Sequence, residues 1–372
     1  MSTTKYLMVC ALLALLSSRA SAQPAVQVEG QPPAPAGEHG HSDPAPDSLL
    51  FAAAATGGTR SESVGGDGLP CSCRESQPGF YAQAEALFLS RNHQSFRQPL
   101  AIRVQDENDP SPGTTLLSTG DLSFGTDPGV RVLLGHRVDD CLGWELSYFG
   151  IFHAGTSATV TGDNDLAIPG DLGRQSLDFF GADRMRFEYS SELHNFEANR
   201  IRAINDNLSL LAGFRYLYLG EQFNINSTDL DTGTGDYHIG TSNNLFGAQL
   251  GARVQRACGR LGWDLTGKAG VFGNASKQSQ SVTDFPPGFF LRSPRSNSGG
   301  SVAFVGDVNF SLTYRLTDVW AVRGGYNLMW IEGVALAPDQ LDFANESTSG
   351  TALHHPGGMF LHGANVGLEA RW

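Results

Sequence analysis

Four groups of residues in this 372-residue chain could do chemistry. Cys71, Cys73, Cys141 and Cys258 could form disulfides or hold a soft metal. Cys71-Ser72-Cys73 is too tight to bridge its own ends, so the expected pattern has Cys71 and Cys73 each bonding one of Cys141 and Cys258. A CxC metal site is the rival, but no histidine accompanies these turns to complete it. His39-Gly40-His41 places two imidazoles in a Pro- and Gly-rich stretch, too few and too loosely held for firm metal binding. His153 with Ser147, or His354-His355, could supply a base and a nucleophile for hydrolysis, yet no third group is placed to orient either. No G-x-S-x-G, H-E-x-x-H, P-loop or EF-hand pattern occurs. The expectation is therefore no enzyme, no cofactor and no metal. The fourth group is a set of charges spaced two residues apart among apolar neighbours, and it points to a lumen.

Composition narrows the classes. The chain is 40 % hydrophobic and only 17 % charged, with 45 Gly and a net charge of −13. Phosphate binding needs clustered Lys and Arg, so a nucleic-acid partner is not expected. Mean hydropathy is −0.19. No apolar run beyond the N-terminus is long enough for a membrane helix. A β-barrel hides its membrane signal in alternation, so that value does not make the chain soluble.

Residues 1–22 read as a signal peptide: Lys5, an apolar stretch from Leu7 to Leu16, then Ala20-Ser21-Ala22. Val9 before Cys10 argues against a lipoprotein anchor. Residues 23–70 are rich in Pro, Gly, Ala and Ser and read as a disordered spacer.

From residue 79 onward the hydrophobic period is 2, the strand signature. Ten segments carry it: 80–89, 129–138, 144–153, 185–200, 208–221, 245–255, 263–272, 302–315, 320–330 and 359–372. In 185–200, Phe187 and Tyr189 are out of phase with Phe196 and Ala198, which predicts a bulge near Ser190. Segment 208–221 is apolar on nearly both faces. Short turns (139–143, 203–207, 256–262, 317–319) alternate with long polar connections such as 154–183 and 275–300, so every long loop leaves from the same end. This is the plan of an outer-membrane barrel. The polar faces would line a lumen with the bases Arg131, Arg137, Arg215, Arg253, Lys268, Arg315, Arg323 and Arg371. The acids would be Glu85, Glu145, Glu221, Asp264, Asp307 and Glu369, with Asn327 beside them. Two readings follow. Either these charges pair inside a filled barrel, or a small basic excess lines a narrow pore that prefers anions.

All five tryptophans fall on the apolar face. Trp144, Trp263, Trp320 and Trp372 sit at the short-turn end and Trp330 at the other, as aromatic belts do at bilayer interfaces. The chain ends on Trp372 at the close of a strand, which resembles the C-terminal signal read by the outer-membrane assembly machinery. That machinery and the lipid bilayer are the expected partners, with any extracellular partner unknown.

Several segments together resemble the β-barrel porin family found mainly in planctomycete bacteria. They are Gly79-Phe80-Tyr81-Ala82-Gln83-Ala84-Glu85, Phe214-Arg215-Tyr216-Leu217-Tyr218-Leu219, Asn243-Asn244-Leu245-Phe246-Gly247 and the ending from Leu361 to Trp372. The resemblance implies an outer-membrane barrel over 79–372 and adds little about transport. The expected architecture is all-β: a single antiparallel transmembrane barrel of about ten strands over 71–372. A further hairpin (100–104 with 116–124) would make twelve. The expected function is a porin-like narrow pore for small polar solutes or ions. The alternative is a plugged structural or adhesive barrel whose long loops bind an external partner.

Overall fold

A computed structural model of the chain describes residues 26–27, 79–94, 97–104, 113–231, 233–286 and 288–372. The signal peptide, nearly all of the spacer, Cys71 and Cys73 lie outside these residues. The strands are β1 (Val26–Gln27), β2 (Gly79–Gln94), β3 (Pro99–Arg103), β4 (Thr114–Ser118), β5 (Thr126–Arg137), β6 (Leu142–Ala167) and β7 (Phe180–Ala203). They continue with β8 (Leu208–Asp229), β9 (Gly233–Cys258), β10 (Leu261–Asp284), β11 (Phe289–Arg315), β12 (Trp320–Val334) and β13 (Gly357–Arg371). Among the described residues no helix is long and apolar enough to cross a membrane.

Ten strands, β2 and β5 to β13, pair antiparallel with their neighbours, and β13 returns to β2, so the sheet closes on itself. The seam is tied at its end by paired backbone bonds between Phe80 and Trp372, of 2.8 and 2.9 Å. Closure removes the sheet edges that would otherwise carry unpaired amides into lipid. Three of the four short turns share one device: a polar side chain accepts two backbone amides across the bend. Asp139 Oδ1 takes Cys141 and Leu142, Asn205 Oδ1 takes Asn207 and Leu208, and Thr317 Oγ1 takes Val319 and Trp320. The extra hairpin exists as β3–β4, but it pairs only with the far end of β6, at Ile102 and Arg103, and stays out of the wall. The wall has ten strands.

The expected long loops are mostly strand. Segments 154–167 and 180–183, 222–229 and 233–244, and 273–284 and 289–301 continue the wall well past the apolar belt. They read as loops because their polar residues outnumber what a membrane strand tolerates. Those polar residues face outward. Near the short turns, β8 turns Leu210 and Phe214 out and Arg215 in; toward the long-loop end it turns Gln222, Asn224 and Asn226 out and buries Leu219, Phe223 and Ile225 inside. The same inversion explains β7. Its register against β8 is unbroken from Arg184 to Ala203, so no bulge occurs at Ser190. Phe187 and Tyr189 face the interior and Phe196 the exterior of one regular strand. The irregularity sits on the neighbouring strand, where Phe152 and His153 of β6 bulge out between Ile151 and Ala154.

The long-loop half of the interior therefore holds an apolar core, packed beside buried polar side chains such as Asn243, Gln278 and Gln280. Leu217, Leu219, Phe223, Ile225, Ile239, Val305 and Ile331 of the wall all have no exposed surface. The segment after β12 folds back into it, burying Ala335, Leu336 and Ala337. Asn243 holds that segment by exchanging two 2.8 Å bonds with the backbone of Ala335. Hairpin β3–β4 adds Leu100 and Leu117, and the short helix at Gly170–Arg174 adds Leu172.

Candidate functional site

The short-turn half of the interior holds the charges, and they form three linked clusters. At the centre, Glu197 on β7 accepts from Arg215 at 2.8 Å, Lys268 at 2.6 Å, Gln249 at 2.9 Å and Asn195 at 3.0 Å. Asp307 on β11 closes this cluster against Arg215 and, at 3.5 Å, Lys268. A second cluster centres on Arg323 of β12, which reaches Glu85 at 3.3 Å, Asp264 at 3.0 Å and Glu369 at 3.0 Å. Arg131 joins it through Glu85 at 3.2 Å and Asn327 at 2.8 Å. Arg371 joins through Glu369 at 2.5 Å.

In the third cluster, Arg253 grips Glu145 with both guanidinium nitrogens, at 2.7 and 2.9 Å, and Tyr81 donates to the same carboxylate at 2.6 Å. Strand pairing makes room for that tyrosine. Tyr81 lies opposite Gly135, and its ring occupies the space a side chain there would need, 2.1 Å from where a Cβ would stand.

Glu85, Glu145, Arg215, Arg253, Asp264, Lys268, Asp307, Arg323, Asn327, Glu369 and Arg131 thus come together inside. Arg137, Arg315 and Arg371 end at the exposed rim, with Arg315 donating to the Gly259 carbonyl. Glu221 lies higher, in the apolar half, paired with Arg91 at 2.5 Å. Arg91 lies against both Phe124 and Tyr189, at 4.7 and 5.2 Å from their ring centroids, and those two rings meet edge to face. Sequence reasoning missed Glu197, the hub. It lies in the segment whose phase was misjudged; a regular strand carried down from Phe187 would have placed it inside. Arg91 was missed because it follows the apolar residues Leu87 and Leu89 rather than other charges.

These lumen charges pair with one another. Six bases (Arg131, Arg215, Arg253, Lys268, Arg323, Arg371) meet six acids (Glu85, Glu145, Glu197, Asp264, Asp307, Glu369), so the network is neutral and the small basic excess disappears. Pairing is what the interior demands, because a buried charge left alone costs several kcal/mol. A cavity of about 900 Å³ remains among these side chains. Its lining runs from the rim, at Asp139, Asn207 and Arg260, up to Leu89, Phe149, Met329 and Leu361 at the foot of the apolar core.

The cysteines correct one expectation. Cys141 is disulfide-bonded, whereas Cys258 is a free, exposed thiol, so the two-bridge arrangement does not hold. The wall explains the difference. The chain joins the barrel at Gly79 on β2, which pairs with β5 beside the turn carrying Cys141; the Cys258 turn lies several strands further round the rim. Among the candidate catalytic residues, Ser147 faces the lumen and His153 the outside, so they do not meet. His355 Nε2 lies 2.5 Å from Ser276 Oγ.

The tryptophans lie on outward positions of the wall. Phe80 stacks on Trp372, with centroids 6.2 Å apart, and edges toward Trp144 at 6.4 Å. At the other margin Trp330 packs on Phe360 at 5.2 Å. That margin is completed by Tyr–His pairs, Tyr148 with His194 at 2.9 Å and Tyr326 with His362 at 2.8 Å.

Comparison with known proteins gives one family. The profile of the family described as Putative beta barrel porin-7 (BBP7) matches residues 81–372. No curated protein matches. Similar solved structures include the outer membrane protease OmpT from Escherichia coli, at 11 % identity, with a TM-score of 0.43 and 79 % of this chain and 97 % of that one covered. The translocator domain of the autotransporter NalP from Neisseria meningitidis has 12 % identity and a TM-score of 0.37, covering 80 % and 90 %. A Pseudomonas aeruginosa FadL homologue has 10 % identity and a TM-score of 0.28, covering 79 % and 90 %. At such scores their activities say nothing about this chain.

Proposed function

The chain belongs to the BBP7 family of β-barrel porins, and from that premise we propose that it is a plugged outer-membrane barrel rather than an open pore. One observation carries this: the long-loop half of the lumen is filled with buried side chains, an apolar cluster together with the Arg91–Glu221 pair and the hydrogen-bonded set around Asn243, Gln280 and Arg292, and the folded-back segment from Ala335 to Ala337 packs among them. Ion passage needs an open, water-filled path, and a lumen packed with apolar and mutually hydrogen-bonded side chains leaves none. The neutral charge network below the core then serves stability, and the 900 Å³ cavity is a cup open to the short-turn side.

The short turns and the C-terminal Trp372 face the periplasm after export through the signal peptide, and the extended hairpins stand outside the cell. Their tips expose Leu177, Leu230, Phe285, Phe289 and Phe290, a surface suited to holding an external partner. The barrel has no catalytic role.

Planar-bilayer recording of the purified, folded protein tests the proposal. Silence is expected. Discrete single channels from a preparation that still shows heat-modifiable migration would overturn it in favour of a narrow pore.

A further inference from the structure

Outside the lumen, β7 carries two successive charges on its lipid-facing positions, whereas β9 carries one, Arg256 opposite Trp263. On β7 the outward positions toward the short-turn rim are Ala198, Arg200 and Arg202, and both arginines are exposed. The arginines inside the lumen are ion-paired; among the described residues, Arg200 and Arg202 form no salt bridge. Their level is fixed by register. Arg200 lies opposite Trp144 of the rim belt, and on its other side opposite Ala212, which faces Leu250. Arg202 lies opposite Leu142 and Leu210, one step closer to the rim.

Two shallow apolar grooves flank this strand. One, of about 540 Å³, runs between Val138, Trp144, Leu146 and Ala198. The other, of about 1000 Å³, runs over Leu210, Ala212, Leu250 and Gly251. The small residues Ala198 and Ala212 create the hollows, and Arg200 lines both. Leu250 keeps 71 % of its surface exposed, so the second groove is unfilled by protein. Asp139 and Asp140 also border it, but the Asp139 carboxylate is engaged by the turn amides, and neither acid bridges to the arginines.

We propose that Arg200 and Arg202 bind the phosphate of a net-anionic phospholipid in the periplasmic leaflet, with one acyl chain in each groove. The site rests on the membrane reading of the barrel and is independent of whether the lumen conducts. A guanidinium offers paired donors that match phosphate oxygens, and two of them on one strand face stand about 7 Å apart, within reach of a single headgroup. Their long stems let the charges reach the headgroup layer while the methylenes cover apolar wall. Two grooves around one cationic centre fit a diacyl lipid better than a free anion, which would use only the guanidinium groups.

Native mass spectrometry of the full chain, released from micelles doped with phosphatidylglycerol or phosphatidylcholine, tests the site. Wild type should retain phosphatidylglycerol on the order of tenfold better. The double variant Arg200→Gln, Arg202→Gln should fall to the phosphatidylcholine level with heat-modifiable migration unchanged. Should that variant fail to fold, Arg202→Gln alone should lose part of the preference. Equal retention of the two lipids by wild type, or undiminished phosphatidylglycerol on a folded variant, overturns the proposal. Displacement of the lipid by inorganic phosphate would assign the site to a free anion and overturn it as well.

Discussion

Two halves of one lumen, walled by the same strands, are filled by opposite chemistry. Toward the short turns, β7 and β8 point Asn195, Glu197 and Arg215 inward and Phe196, Leu210 and Phe214 outward. Toward the long-loop end they point Phe187, Tyr189, Phe223 and Ile225 inward and Arg186, Asn224 and Asn226 outward. The strand alternates throughout, and what changes is the solvent outside. Where the wall meets lipid, the apolar face is spent on the exterior and the interior is left polar. Where it meets water, the exterior is polar and the interior is built like the core of a soluble protein. The upper half therefore packs its centre for the reason any small soluble barrel does.

The sharpest test of this contrast is to remove one charge from the lower half. Glu197→Ala leaves Arg215 and Lys268 sharing Asp307 alone, and should cost about 3–5 kcal/mol, because an uncompensated buried charge remains. Replacing Glu197, Arg215, Lys268 and Asp307 together by neutral residues of similar volume should recover most of that loss. Urea unfolding in vesicles measures both. If the fourfold variant is no better than the single one, the charges do more than neutralise each other.

The upper half should answer to volume instead. Phe223→Ala should cost about 3–5 kcal/mol and Ile225→Ala about 2–5 kcal/mol by leaving cavities. Asn224→Ala, between them on the outer face, should stay within about 0.5 kcal/mol. Comparable losses at all three would break the inversion. A smaller effect belongs to the seam between Tyr81 and Gly135: Gly135→Val puts a side chain where the ring lies and should cost about 1–3 kcal/mol. The ring would be pushed off Glu145, so the loss should shrink when Tyr81 is also replaced by Ala.

Much of the wall was legible in the sequence, and the reason it stopped is physical. Period 2 found all ten strands, because a lipid-facing stretch has only one way to alternate. The belt of Trp144, Trp263, Trp320 and Trp372 fixed the rim, and inward charges followed from phase. The same logic failed past the belt. There an outward Asn226 or Asp236 carries no membrane signal, and an inward Phe223 looks like a lipid-facing residue out of phase. Glu197 was lost to that error, since Phe187 and Phe196 both satisfy an apolar pattern but on opposite faces. How the segment after β12 would fold was beyond reach. Its partners, Glu221 for the Ala337 amide and Arg292 for the Asp342 carbonyl, are distant in sequence and follow no period.

The smallest expected effect concerns the lid of the apolar half, where the contrast can be sharpened by pH. His355, in the segment before β13, has its pKa held below the ordinary histidine value by partial burial and then by His354. The folded segment therefore favours neutral imidazole, whose Nε2 meets Ser276 Oγ at 2.5 Å. An unfolded or detached segment would protonate near pH 6.5. Below that pH the detached form binds more protons than the docked one, so docking weakens as pH falls toward the folded value and is fully retained above about 6.5. Hydrogen exchange at residues 351–355 should speed up modestly between pH 7.5 and 5 after correction for intrinsic rates, while amides of Phe223 and Ile225 should not respond. In His355→Gln the pH dependence should vanish. If the apolar amides instead loosen together with the lid, the plug opens as one unit with its cover, and the upper half is a gate rather than a static core.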